Sequence, residues 1–301
     1  MQRCAPNADA GIKDIMRPSA RLKALLASRS AAILPGTPNA LFARVIAAHG
    51  FEGLYVTGAG VANMSFGMPD IGLVTLTELT EHVAAIADAV DIPILADADT
   101  GFGNALNVGR TLRMFERAGA AGIQIEDQVF PKKCGHFSGK QVIACGEMVQ
   151  KIRAAVDART DQHVQIVART DARAIEGLDA AIARAQAYAE AGADVTFVEA
   201  PLNASEMRRI TSEVGVPQIA NIVFGGLTPL LPQSELATLE FGAVLYANAA
   251  LQAALKSVGD VMAALKRDGS LTQVADRLAG FEERQQAVDK ARYDDLEQRY
   301  R

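Results

Sequence analysis

Ala118-Gly-Ala-Ala-Gly-Ile-Gln-Ile-Glu126 and Ala191-Gly-Ala-Asp-Val-Thr-Phe-Val-Glu199 follow one plan: a helix ends at a glycine, an apolar run of strand length follows, and a glutamate closes the run. Working outward, the same kind of run recurs between longer alanine-rich segments with helical spacing. The eight runs are Ala31–Pro35, Leu54–Thr57, Ile92–Ala96, Gly122–Ile125, Val164–Ala168, Val195–Val198, Gln218–Ala220 and Ala243–Tyr246. Continuous apolar runs suit strands buried on both faces. Eight strand–helix units in 301 residues predict an α/β fold, a (β/α)8 TIM barrel.

Composition agrees with such a core. Hydrophobic residues make up 50% and charged ones 22%, which excludes a disordered chain. No apolar run approaches the length of a membrane span, so no membrane partner is expected. The net charge of −5, without a Lys/Arg block, gives nucleic acid no electrostatic footing. Three cysteines, Cys4, Cys134 and Cys145, make neither a zinc spacing nor an even disulfide set, and the first 25 residues lack the apolar core of a secretory signal. The expectation is a reducing cytoplasm. No Pro/Gly/Ser linker divides the chain, so residues 1–301 read as one domain, with an N-terminal helical segment over 1–25 and a charged helical arm over about 262–301. That arm is either a solvated face or a surface for another subunit.

Polar chemistry follows the apolar runs where a barrel presents its C-terminal face: Thr57-Gly58-Ala59, Asp97-Ala-Asp99, Glu126-Asp127, Arg169-Thr-Asp171, Glu199 and Asn221. Asp97 and Asp99, two residues apart, point to one side of an extended strand and can converge on one cation. Glu126 on the next strand and Asp70 in a preceding loop complete an oxygen-rich set suited to Mg²⁺, or alternatively Mn²⁺. The competing reading of Asp99 is a cap for the following helix. The most specific local feature is Lys132-Lys133-Cys134-Gly135-His136, where nearby positive charge would favour a thiolate. Cys145 reads as core, and His49, His82 and His163 as surface or packing residues. Serine-elbow, P-loop and HExxH patterns are absent from the sequence.

These residues carry a resemblance. Tyr55-Val-Thr-Gly-Ala-Gly, Pro69-Asp70-Ile-Gly-Leu, Asp97-Ala-Asp-Thr-Gly-Phe-Gly, Ile125-Glu-Asp-Gln, Lys132-Lys-Cys-Gly-His, Val167-Ala-Arg-Thr-Asp-Ala and Phe197-Val-Glu-Ala-Pro lie within 31–229. Together the stretch resembles the isocitrate lyase / phosphoenolpyruvate mutase superfamily, and within it the short 2-methylisocitrate and 2,3-dimethylmalate lyases. The resemblance implies a barrel whose eighth helix is exchanged between subunits, assembled as a tetramer built from two dimers. It implies Mg²⁺ touched directly by Asp97, with Asp70, Asp99 and Glu126 holding its waters. Thr57, Gly58 and Ala59 would receive the keto-acid end of a small carboxylate substrate, Arg169 would pair its carboxylate, and Cys134 would be the catalytic acid/base. Lys132, Lys133, Gly135 and His136 would surround the other carboxylate, with Glu199 and Asn221 completing the site and Tyr55 taking the hydroxyl proton.

The implied reaction is retro-aldol cleavage of a 2-hydroxy di- or tricarboxylate to a 2-keto acid such as pyruvate plus a carboxylic acid. Two departures bear on the substrate. Asn221-Ile-Val-Phe224 places an aromatic wall where the lyases usually carry Glu, and Gln252 aligns with an Arg of the methylisocitrate lyases. Losing a cation weakens the case for a tricarboxylate and favours a smaller substituted malate. The alternatives are a carboxyphosphonoenolpyruvate mutase type of activity, an oxaloacetate-cleaving enzyme, and a barrel with no catalytic role.

Overall fold

The computed structural model describes residues 16–133, 135 and 139–301; Cys4, Cys134 and His136 lie outside the described residues. Its strands are β1 (Ala32–Thr37), β2 (Leu54–Val56), β3 (Ile94–Asp97), β4 (Gly122–Glu126), β5 (Gln165–Thr170), β6 (Val195–Val198), β7 (Ile219–Asn221) and β8 (Ala243–Tyr246). All pair in parallel in the order β6-β5-β4-β3-β2-β1-β8-β7, and a single parallel bridge from Thr196 to Gln218 brings β6 back to β7. The sheet thus closes into the expected barrel. Around it lie α1 (Pro18–Ala27), α2 (Ala40–Ala48), α3 (Gly58–Phe66), α4 (Leu76–Ala89), α5 (Ala105–Arg117), α6 (Cys145–Ala158) and α7 (Arg173–Glu176). The chain continues through α8 (Leu178–Glu190), α9 (Ala204–Glu213), α10 (Gln233–Thr238), α11 (Ala249–Asp268), α12 (Phe281–Ala287) and α13 (Lys290–Arg299).

Strand boundaries shift from the sequence reading in an informative way. β3 starts after Pro93, which has no N–H to give a ladder, and not at Ile92. Four strands run on into the polar residues expected beyond them: Asp97, Glu126, Arg169 and Asn221 all lie inside strands, and Glu126 stands in register with Arg169. Their side chains are therefore fixed by the ladder and not by loops.

Alternation along the strands sorts the core into two shells. Leu34, Tyr55, Leu95, Val167, Phe197, Ile219 and Leu245 face inward, and α1 lays Leu22 and Leu26 among them. Outside the barrel, Val56, Ile94, Ile123 and Ile166 pack against Leu79, Val83 and Ile86 of α4, Leu112 and Phe115 of α5, and Met148 and Ile152 of α6. Helix starts are marked locally. Thr75 and Glu78 cap α4 reciprocally, and Asn104 caps α5, its Oδ1 accepting from the Leu106 and Asn107 amides at 3.0 and 3.3 Å. Asp99 is thus not the cap of α5.

The helix after the eighth strand departs from barrel habit. Of the 20 residues of α11 only Val261 and Ala264 are buried, and they cluster with Val274 of the short 3-10 turn Thr272–Arg277 that follows. Leu255 and Val258 stay 73% and 58% exposed, so the helix does not lay its apolar stripe on the barrel of its own chain. The expected arm from residue 262 begins inside this helix, and α12 and α13 bury no residue. Among the described residues no helix is long and apolar enough to cross a membrane.

Candidate active site

Extending each inward-facing row by two residues reaches the polar rim. Leu95 leads to Asp97 and Asp99, Val167 to Arg169 and Asp171, Phe197 to Glu199, and Ile219 to Asn221. These rows end on a narrow cavity lined by Tyr55, Thr57, Ala59, Asp70, Asp97, Glu126, Lys132, Lys133, Gly135, Arg169, Phe197, Asn221, Val223, Ala247 and Asn248.

Its acidic wall is crowded. Asp97 Oδ1 accepts from the Asp99 amide at 3.1 Å and from Gln124 Nε2 at 3.3 Å. Gly58 leaves room beside them: a Cβ there would sit 3.2 Å from Asp97 Oδ2 and 3.3 Å from Asp99 Oδ1, tighter than ordinary contact. Lys132 turns into this cluster, paired with Asp70 and 2.9 Å from Asp99 Oδ1. Its charge is thereby committed to the acids. Burial, with Asp97 and Asp70 adding to it against Lys132, raises the Asp99 carboxyl to about 6. Burial likewise raises Glu126 well above the carboxylate range, Arg169 opposing, whereas for Lys132 the four surrounding acids outweigh burial and raise its ammonium well above the usual lysine value.

This donor set fits a hard cation: it is all oxygen, its charge is in excess, and Glu126 Oε1 is buried with no hydrogen-bond partner among the described residues. No three acids, histidines or cysteines among the described residues stand close enough to enclose an ion by themselves. A cation here would keep waters between itself and most of the carboxylates, the habit of Mg²⁺.

Opposite, Arg169 is held by Asp171 at 2.9 Å, Glu126 at 3.3 Å and Glu199 at 3.4 Å, with its guanidinium 5.3 Å from the Phe197 ring centre. Glu126 and Glu199, the closing residues of the two echoing stretches, thus meet on one guanidinium. Gly135 packs so tightly here that a Cβ would lie 2.5 Å from Arg169 Nη2. Thr57 caps α3, accepting from the Gly60 amide at 3.3 Å, and leaves the Gly58 and Ala59 amides without intrahelical partners at the positive end of the helix.

The segment after β4 leaves and returns as a paired stem. Val129 donates to the Gln141 carbonyl, Ile143 donates to that of Asp127, and Gln128 clasps both the amide and the carbonyl of Lys133. Asp127, buried, accepts from the Thr170 and Tyr188 hydroxyls at 2.7 Å and from the Asp171 amide at 3.0 Å, tying the stem to β5 and α8. Lys140 Nζ donates to Asp171 at 2.6 Å and to the Gly135 carbonyl.

The structure places the remaining sequence candidates, with Phe224 a correction. Tyr55 donates to Gln124 Oε1 at 3.3 Å, and burial, reinforced by Asp97, raises its phenol above the usual tyrosine value. Phe224 does not wall the cavity; it is 76% exposed, and Val223 lines the cavity in its place. Gln252 lies in the first turn of α11 and donates to the Phe224 carbonyl at 3.1 Å. Cys145 is half-buried against the core, where burial raises its thiol. His49 and His163 are exposed, and His82 packs edge-on to Phe66. Sequence reasoning missed Gln124, Lys140 and Asn248. Inward alternation flags Gln124, two residues before Glu126, but only chain return brings Lys140 and Asn248 to the rim.

Residues 22–266 match the family model described as phosphoenolpyruvate phosphomutase. The chain belongs to this phosphoenolpyruvate mutase family. A family relative, 2,3-dimethylmalate lyase of Eubacterium barkeri, is 45% identical over 89% of this chain and 93% of its own. The 2-methylisocitrate lyase of Shewanella oneidensis is 43% identical over 86% and 88%. Among solved structures of similar fold is a phosphonopyruvate hydrolase in complex with oxalate and Mg²⁺, with TM-score 0.85 and 31% identity over 95% of this chain and 99% of that one.

Proposed function

We propose that this phosphoenolpyruvate mutase family member is a Mg²⁺-dependent carbon–carbon lyase that splits a 2-hydroxy dicarboxylate of the substituted-malate type into a 2-keto acid and a carboxylic acid. The carrying observation is the juxtaposition in one cavity of the acid cluster around Asp97 with Arg169 and the two free amides at the head of α3. Asp97 would hold the cation directly, and Asp70, Asp99 and Glu126 through water. When bound, Mg²⁺, or Mn²⁺ in its place, supplies polarisation of the forming keto acid.

Thr57, Gly58 and Ala59 receive the carboxylate of the keto-acid half, and Arg169 orients it with a charge that Glu126, Asp171 and Glu199 keep in place. Tyr55 hydrogen-bonds as a donor, so the crowded carboxylates are the acceptors at hand for the hydroxyl proton. As that proton leaves, the bond between the carbinol carbon and its neighbour breaks and the electron pair passes to the departing fragment. Lys133 and Asn221 line the side where that fragment's carboxylate collects, with His136 assigned to the same side from its place in the sequence. Cys134 is assigned the proton for the carbanionic carbon on the same ground, since its neighbours Lys133 and Gly135 line the cavity.

Assembly follows the stripe on α11. Leu255, Val258, Met262 and Leu265 are exposed, which suits a helix exchanged with a second copy in a dimer and, through pairing of dimers, a tetramer. Cytoplasmic location and a one-domain chain remain part of this reading.

The test combines a product panel with one substitution. Mass spectrometry after incubation with 2,3-dimethylmalate, 2-methylisocitrate, oxaloacetate and phosphonopyruvate is expected to find cleavage of the substituted malate in preference to the others. Cys134→Ala should lower that cleavage by about 10²–10⁴-fold while leaving oxalate binding intact. Undiminished cleavage by the variant rejects the proton donor, and cleavage of phosphonopyruvate alone rejects the lyase.

A further inference from the structure

The turn between β3 and α5 carries one acid of the cluster on an unusual backbone. Asp99, Gly101, Phe102 and Gly103 all have positive φ, with 47° at Asp99 and 59° at Phe102. Residues with side chains seldom adopt that region, and a segment wound this way persists only where its surroundings fix it. Within the turn, the Gly101 amide donates to the Ala98 carbonyl at 2.8 Å. Three consecutive carbonyls are then gripped from outside. That of Asp99 accepts from the Glu126 amide at 2.8 Å, that of Gly101 from the buried Thr111 hydroxyl at 3.1 Å, and that of Thr100, between them, from Lys151 Nζ at 3.1 Å.

Lys151 is the odd member of this set. It belongs to α6, stands outside the cavity lining and is only 4% exposed. Burial holds its ammonium below the usual lysine value, with Glu147 and Asp127 opposing. A buried charge is costly, and a neutral side chain would pack between α5 and α6 at less cost. The charge is given to a peptide oxygen next to Asp99, whose carboxylate shares the acidic wall with Asp97. We infer that Lys151 is a positioning residue for the cation: by gripping the Thr100 carbonyl it keeps the turn wound so that the Asp99 carboxylate stays beside that of Asp97. This deepens the Mg²⁺ reading of the acid cluster and rests on it.

Two measurements test it on the full chain. Titration calorimetry with Mg²⁺ alone should show affinity about tenfold weaker in Lys151→Met, the size of loss typical when a group that orients a metal ligand is removed. Hydrogen exchange without Mg²⁺ should show the Gly101 and Glu126 amides, which the turn protects, opening about tenfold faster in the same variant. Lys151→Gln, which keeps a donor for the carbonyl, should fall between wild type and Lys151→Met, and carries both measurements if Lys151→Met does not fold. Glu116→Ala controls for stability: at the far end of α5 it removes the acceptor of the Thr160 and Asp161 amides, and it should lower the urea midpoint while leaving both readouts unchanged. Wild-type Mg²⁺ affinity in the Lys151 variants, unchanged exchange at Gly101 and Glu126, or equal losses in Glu116→Ala overturns the assignment. If the wild type takes up no Mg²⁺, the cation reading fails by itself, and the exchange of the two amides still judges the grip of Lys151 on the turn.

Discussion

Gly58 shows how much of the site hangs on single atoms. A Cβ on it would come 3.2 and 3.3 Å from the Asp97 and Asp99 carboxylates, which would have to give way slightly. Gly58→Ala is expected to weaken Mg²⁺ binding by about tenfold, read by titration calorimetry, with little change in fold by circular dichroism. Asp99 sets the pH behaviour. Its folded value of about 6 lies above that of an unfolded carboxyl, so in the cation-free protein its contribution to stability is full at low pH and is lost as pH rises through 6. A cation must displace that proton. Mg²⁺ affinity should therefore fall as pH drops below 6, and binding near that pH should release a proton, visible as a dependence of the observed heat on buffer ionisation; Asp99→Asn should reduce both effects, the raised Glu126 carboxyl carrying the remainder. The acid positions were legible because alternation is a rule of the strand. The turn of Lys132 toward Asp70 and Asp99 was not, since it depends on a return of the chain that no spacing encodes.

Strands and the segments between them divide the labour of holding this rim. Because β3, β4, β5 and β7 extend through their polar residues, the ladder fixes the backbone of Asp97, Glu126, Arg169 and Asn221. The stem after β4 has no such ladder and is anchored at Asp127, which gathers Thr170, Tyr188 and the Asp171 amide. Asp127→Ala would orphan those donors in a buried place, and urea denaturation should show a loss of about 3 kcal/mol. Tyr188→Phe, which removes one donor together with its need, should cost less than half as much. The apolar runs located all eight strands but ended several of them early, because a polar residue in a sequence reads as a loop until a neighbouring strand is seen to pair with it. Phe224 failed for the opposite reason: an aromatic residue reads as a wall, and only the course of the chain after β7 shows it facing solvent.

At the scale of the whole molecule, the eightfold plan was visible in repeated runs, while the behaviour of the last helix was not, since its sequence is as amphipathic as its neighbours'. Leu255, Val258, Met262 and Leu265 of its apolar stripe stay exposed. Placing charge there, as in Leu255→Asp with Val258→Asp, should convert the assembly to monomers in sedimentation experiments, and an unchanged sedimentation coefficient would remove the exchange from consideration. The rim also has a temporal consequence. Asp70, Asp97, Asp99, Glu126, Asp171 and Glu199 confront Lys132, Lys133, Lys140 and Arg169, and Arg169 is already matched by three of those acids. A dianion diffusing in by itself meets a field that repels it. A visitor of the opposite sign would offset that excess, so the expected queue is metal first, acid second, read as Mg²⁺-dependent binding of oxalate.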